Sequence, residues 1–243
     1  MEKLIAWIVT FITAQAPPGL STLVPESKES KEAALARYES IAKDIATIVT
    51  EEEPLFKGPL GRSKTVSIIL SIMTHESMFR KDVDLGLGKW AKGDGGKSVC
   101  LMQLNIGDSK TWSWNTVKNR AAFDNDDKSE VVLGWDAKEI LADRKKCIRA
   151  GYRVIKNSFS HTSHLPTLEW LRVYASGSPD KGSKESVVRM GLALKWFKEH
   201  KPDFVDADFL GPEPMPALQP IAPVYGSSWV GKSHLIRVIH WPE

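Results

Sequence analysis

The sequence predicts a mainly α-helical protein, and three observations carry that prediction. Apolar residues recur at helical spacing through the middle of the chain, alternating stretches are scarce, and polar helix-starting residues stand ahead of the periodic runs. Of the 243 residues 42% are hydrophobic, with 33 Lys and Arg against 30 Asp and Glu, which allows a buried core and excludes an intrinsically disordered chain. Two cysteines exclude a disulfide scaffold or a four-thiolate zinc site. A pI near 8.7 suits an anionic polymer without choosing one.

The elements follow in order. Leu4 to Ile12 is almost continuously apolar, with Lys3 before it and Ala14-Gln15-Ala16 after it. This outline fits a secretory signal, although Glu2 cancels Lys3 and Pro17 would follow the scissile bond. The alternative is an N-terminal helix that packs on the body or rests on a membrane. The segment is too short to span a bilayer, which takes ~20 residues. An acidic helix follows, capped by Ser30 or Ser27, with Leu35, Tyr38, Ile41, Ile45 and Ile48 as its stripe and Pro54 beyond its end. A second helix starts near Ser63 and carries Val66, Ile69 and Met73. Residues Asp82 to Asn105 read as loops with at most a small hairpin.

Asp136 and Glu139 form a capping box for a third helix running to Ile155. A short helix, Thr167 to Val173, and a longer one, Ser186 to His200, complete the body. Seven of the fourteen prolines fall in the last 42 residues, a linker or wrapped extension. The chain thus divides into an apolar N-terminal segment (1–25), an acidic helix (26–53), a helical body (54–204) and a Pro-rich extension (205–243). The extension contains Gly226 to Ser233, a formal phosphate-loop pattern. Only ten residues follow it, so the strand–loop–helix context is missing and no nucleotide is expected.

The first chemical clue is Glu76. It extends the stripe of Val66, Ile69 and Met73 by three residues and so places an acid on the core-facing side of the last turn. Burial and the negative end of the helix both disfavour the carboxylate and raise its pKa. A glutamic acid kept protonated near neutral pH is what glycosidic cleavage requires, because the alkoxide leaving group must receive a proton.

Around Glu76 the sequence reads Thr74-His75-Glu76-Ser77, then Gly93-Asp94-Gly95-Gly96, then Cys100-Leu101-Met102-Gln103-Leu104-Asn105, and later Tyr174-Ala175-Ser176-Gly177. Three ordered elements, Glu76-Ser77, Leu101-Met102-Gln103 and Tyr174 to Gly177, with the Gly-rich loop between the first two, resemble the lytic transglycosylase and goose-type lysozyme superfamily. The resemblance covers roughly residues 60 to 200 and implies a lysozyme-like α+β fold with a small loop and hairpin region over the cleft. It implies Glu76 as the catalytic acid, Ser77 beside the sugar, Met102 and Gln103 lining the cleft, and Tyr174 hydrogen-bonding near Glu76. Cys100 replaces the family's Gly, and Ala175-Ser176 replaces its Asn-Ala.

The same resemblance frames two outcomes. In a hydrolase a second carboxylate activates water across a gap of about 6.5 to 9.5 Å. In a lytic transglycosylase the muramic acid's own 6-hydroxyl closes on the anomeric carbon. Asp94 stands where the goose-type pattern has one Asp, whereas Asn105 occupies the place of the other; Asp82 and Asp84 are less well placed. The expectation leans to the transglycosylase, with a goose-type-like hydrolase as the alternative and a catalytically weak peptidoglycan-binding virion protein as a third. The implied partners are peptidoglycan glycan strands and possible virion proteins, without nucleic acid, and the implied location is periplasmic, extracellular or in a phage particle.

Trp90, Trp112 and Trp114 flank the proposed loop and could stack on sugars. No cofactor or metal is expected: Phe79 stands where H-E-x-x-H needs its second His, and His161 and His164 sit in a loop without an evident third ligand. Cys100 and Cys147 could meet in space. If bonded, they would add ~4 kcal/mol by the loop-entropy model; if reduced, they would be small buried hydrophobes.

Overall fold

The computed structural model describes residues 1–19, 24–105, 135–210 and 241. Of these 65% are helical, in eight α-helices, with one two-stranded sheet.

The apolar N-terminal segment forms α1 (Glu2–Gln15). Leu4, Ile8, Phe11 and Ile12 recur at helical spacing and are fully buried. They face α2 (Lys31–Glu51) and α3 (Gly61–Ser77). Phe11 meets Trp196 edge-on at 4.8 Å, and the Trp7 indole donates to the His200 carbonyl at 2.7 Å. In this structure the segment packs on the body as a helix. Among the described residues no helix is long and apolar enough to cross a membrane.

Ser30 caps α2, its hydroxyl accepting from the Ala33 amide at 3.1 Å. Ser27 lies instead in a short 3₁₀ turn, where its hydroxyl donates to the buried Asp82. The buried stripe of α2 starts at Ala34 and continues through Tyr38, Ile41, Ile45 and Ile48. Leu35 was expected in that stripe but is 37% exposed, because one residue turns the helix by about 100° and carries it off the face.

Helix α3 begins two residues earlier than expected and has no local side-chain cap. Asp206, far along the chain, supplies one: its Oδ2 accepts from the Arg62 amide at 2.9 Å. Gly61 fits there because a Cβ would overlap the Phe56 carbonyl. From Thr65 to Thr74 every residue is buried, so α3 runs through the core rather than along its edge. Thr65, Ser67, Thr74 and Ser77 donate their hydroxyls to carbonyls four residues back, as in Thr65 to Gly61 and Thr74 to Leu70, both at 2.9 Å, and Ser71 donates to the Arg189 carbonyl at 2.5 Å.

Where loops were expected, α4 (Lys81–Leu85) forms. Its Asp82 and Asp84 are buried because each finds arginine: Asp82 with Arg80, and Asp84 with Arg144 at 2.7 and 2.8 Å. The small hairpin consists of β1 (Ser98–Val99) and β2 (Leu104–Asn105), antiparallel, with Ser98 opposite Asn105 and Val99 opposite Leu104.

The expected third helix is two helices, α5 (Ala137–Ala142) and α6 (Arg144–Thr162). The Asp136–Glu139 capping box starts α5 as the sequence indicates. Asp143 ends it in extended geometry and caps α6, accepting from the Lys145 amide at 3.0 Å. A short polar side chain that can bond the backbone ahead of it favours a fresh start over continuation. The expected Thr167–Val173 helix is likewise a 3₁₀ turn (Thr167–Glu169) followed by α7 (Arg172–Ser176). Helix α8 (Ser183–Glu199) packs along α3. One hydrophobic cluster runs from Leu4 through Ile45, Ile69 and Ile148 to Met190 and Phe204, joining the N-terminal helices to the body.

Trp112, Trp114 and the Gly226–Ser233 pattern lie outside the described residues.

Candidate active site

A cavity of about 830 Å³ opens where the end of α3, the hairpin, α6, α7 and α8 converge. Six of its lining residues carry most of its chemistry: Glu76, Asp94, Asn157, His161, Tyr174 and Arg189. Glu76 reaches it from the last turn of α3, with its side chain 18% exposed. Burial holds the Glu76 carboxyl above its ordinary range. Arg189 opposes this through its charge and its hydrogen bonds, and the charge of Asp94 adds to the rise.

Arg189, on α8, places both Nε and a terminal nitrogen on the same carboxylate oxygen, at 3.0 and 2.5 Å. Oε1 is thereby fixed, while Oε2 takes no hydrogen bond among the described residues. The sequence reading missed Arg189, yet a signal existed. It lies four and seven residues before Ala193 and Trp196, so a cation falls in phase with buried positions of the same helix, as Glu76 does on α3.

Asp94 also lines the cavity, in left-handed backbone (φ 51°), and its Oδ2 accepts from Ser98 Oγ at 2.5 Å and Asn105 Nδ2 at 3.5 Å. Asn105 and Gln103 line the same space. The Gln103 amide is committed to the wall itself: Oε1 accepts from the Gly93 amide at 2.9 Å, and Nε2 donates to the Cys100 carbonyl at 3.1 Å. Tyr174 lines the cavity and donates its hydroxyl to the Met102 carbonyl at 2.6 Å. Its phenol is pushed well above its ordinary range, first by burial and then by the charge of Glu76, and so stays protonated.

Other expected site residues stand elsewhere. Ser77 is 5% exposed and off the cavity; its hydroxyl donates to the Met73 carbonyl at 2.8 Å and closes the helix. The Met102 side chain is fully buried against Gly151 of α6, where a Cβ would overlap its sulfur, so only its carbonyl serves the site. Trp90 is 60% exposed, with Lys89 over its ring at 4.8 Å, and does not line the cavity. Asp82 and Asp84 are held in ion pairs away from it.

His161 is not in a loop but in the last turn of α6, facing the cavity. Among the described residues no three His, Cys, Asp or Glu are grouped to hold a metal ion. Cys100 and Cys147 are joined in a disulfide, Cα atoms 6.2 Å apart, which ties the hairpin turn to α6. The non-glycine residues with positive φ among those described are Met78, Phe79, Asp94, Cys100 and Gln103. All five lie in the stretch between Glu76 and the hairpin's second strand. Of these, Asp94 and Gln103 line the cavity, and left-handed backbone at non-glycine residues is characteristic of functional sites.

These residues together can do specific chemistry. A partly buried carboxylic acid, fixed on one oxygen, can deliver a proton from the other. A second carboxylate in the same cavity can stabilise positive charge or orient water. No protein-family model, curated protein or solved structure matches the chain.

Proposed function

We propose that this protein cleaves the β-1,4 bond between N-acetylmuramic acid and N-acetylglucosamine in peptidoglycan, on a lysozyme-like helical body. The observation that carries the proposal is Glu76: its carboxyl lines the cavity, is raised by burial and is fixed on Oε1 by Arg189, while Oε2 takes no hydrogen bond among the described residues. In the first step Glu76 gives its proton to the glycosidic oxygen as the C–O bond breaks, and positive charge develops on the ring. The resulting carboxylate is stabilised by Arg189. Tyr174 keeps the Met102 carbonyl and the hairpin turn in place.

In the transglycosylase outcome Glu76 then acts as base toward the muramic 6-hydroxyl, which attacks the anomeric carbon and closes a 1,6-anhydro ring. No water is consumed. A second reading, hydrolysis, is favoured by Asp94, whose carboxylate lines the same cavity and could take a proton from water. Digestion of purified peptidoglycan followed by mass spectrometry separates them: anhydro ends are one water lighter than reducing ends. Glu76→Gln should abolish product under either reading, and full activity in that variant would end both.

A further inference from the structure

Asn157 is only 6% exposed and lines the cavity, yet its side-chain amide takes no hydrogen bond among the described residues. With the rest of the residue buried, the amide reaches solvent from the cavity side, and a carboxamide uncommitted to the protein on a cavity wall can be taken up by a ligand. The buried hydroxyls of this stretch of α6 are already satisfied. Ser158 Oγ donates to the Trp170 carbonyl at 2.8 Å, and Thr162 Oγ1 donates to the Ser158 carbonyl at 2.6 Å. Val154 and His161 lie three residues before and four after Asn157, so the three share one helix face, and all three line the cavity.

We propose that Asn157 is a substrate-binding residue that takes a secondary amide, the N-acetyl group of a glycan sugar, with Val154 beside the acetyl methyl. The choice of ligand follows from the inventory of the group. A carboxamide offers one acceptor oxygen and two donor hydrogens, which a secondary amide meets with its own N–H and C=O. A carboxylate ligand offers acceptors only and would leave the Asn157 oxygen unmet. The inference rests on the glycan reading of the cavity and adds the feature of the glycan that α6 recognises.

The test is a binding measurement, so that it does not depend on turnover. The full chain carrying Glu76→Gln is titrated by calorimetry with an N-acetylglucosamine pentamer and with its fully de-N-acetylated counterpart. The same titrations are run with Asn157→Leu and Asn157→Asp added. The acetylated pentamer should bind each double variant about tenfold more weakly, while the de-N-acetylated pentamer, a cation, should bind the Asn157→Leu chain as it binds the parent. Thermal unfolding should show no loss of stability in Asn157→Leu, since no hydrogen bond to a described residue is removed; a structural asparagine would lower Tm. Equal affinity of the three chains for the acetylated pentamer overturns the role of Asn157 and leaves the glycan reading standing. Failure of the Glu76→Gln parent to bind either pentamer overturns both.

Discussion

Replacing Arg189 with Met, which keeps much of the stem and removes the charge, should shift the alkaline limb of activity upward. The guanidinium lies 3.0 and 2.5 Å from Glu76 Oε1, and the two side chains are 12% and 18% exposed, so solvent screens the pair only partly. Hydrogen bonds to a charged group are worth about 1.5–3 kcal/mol. Their loss therefore raises the Glu76 pKa further, and at about 1.4 kcal/mol per pH unit the alkaline limb should move up by about one pH unit or more. Burial and the charge of Asp94 remain and act in the same direction.

The sign follows from the role. Glu76 works protonated, so activity falls as pH rises through its pKa, and a higher pKa moves that fall to higher pH. The assay is kcat/KM for labelled peptidoglycan from pH 4 to 9 at fixed ionic strength, with the Glu76 side-chain carbon followed by NMR as a check independent of turnover. Stability obeys the same linkage. With its folded pKa raised above 4.5, Glu76 contributes fully below that value and loses its contribution as pH rises through the folded pKa. An unmoved or lowered alkaline limb in Arg189→Met, with the NMR titration unmoved, would refute the reasoning.

Arg144→Ala leaves Asp84, 1% exposed, with only Arg37 at 3.7 Å, and should cost about 3–5 kcal/mol in urea unfolding; a loss below about 1 kcal/mol would show that the pair is not needed. Removing the disulfide with Cys147→Ala, across a separation of 47, should lower stability by about 4 kcal/mol, and because the bridge ties the cavity wall to α6 it should also raise KM. Unchanged KM would mean that Tyr174 and Gln103 hold the wall without it. Trp90→Ala should leave KM unchanged, since the ring stands off the cavity, and a several-fold rise would return Trp90 to the substrate path.

Local rules made several elements legible. The Asp136–Glu139 box and the Ser30 cap involve groups three residues apart, so sequence spacing alone places donor against acceptor. Glu76 was legible because its helix is long and periodic, and position on such a helix determines which side a residue faces. Leu35 failed by one residue's rotation, and Asp143 failed because a mid-run Asp can either continue a helix or restart one. Ser77 and Met102 were read from a motif that specifies neighbours along the chain; the structure turns their side chains into helix closure and core.

By itself the sequence determined the helical class, the acid at the end of a core helix, and the glycine-rich turn that carries Asp94. Those depend on periodicity and on short-range geometry. Tertiary structure alone decided that Arg189, 113 residues away, fixes one oxygen of Glu76, that Asp206 caps α3 from the far end of the chain, and that Asn157 stands in a cavity wall with no side-chain hydrogen bond among the described residues. Such pairings depend on how helices are placed against one another, and no spacing along a chain encodes the charge or the empty space that a distant helix will bring.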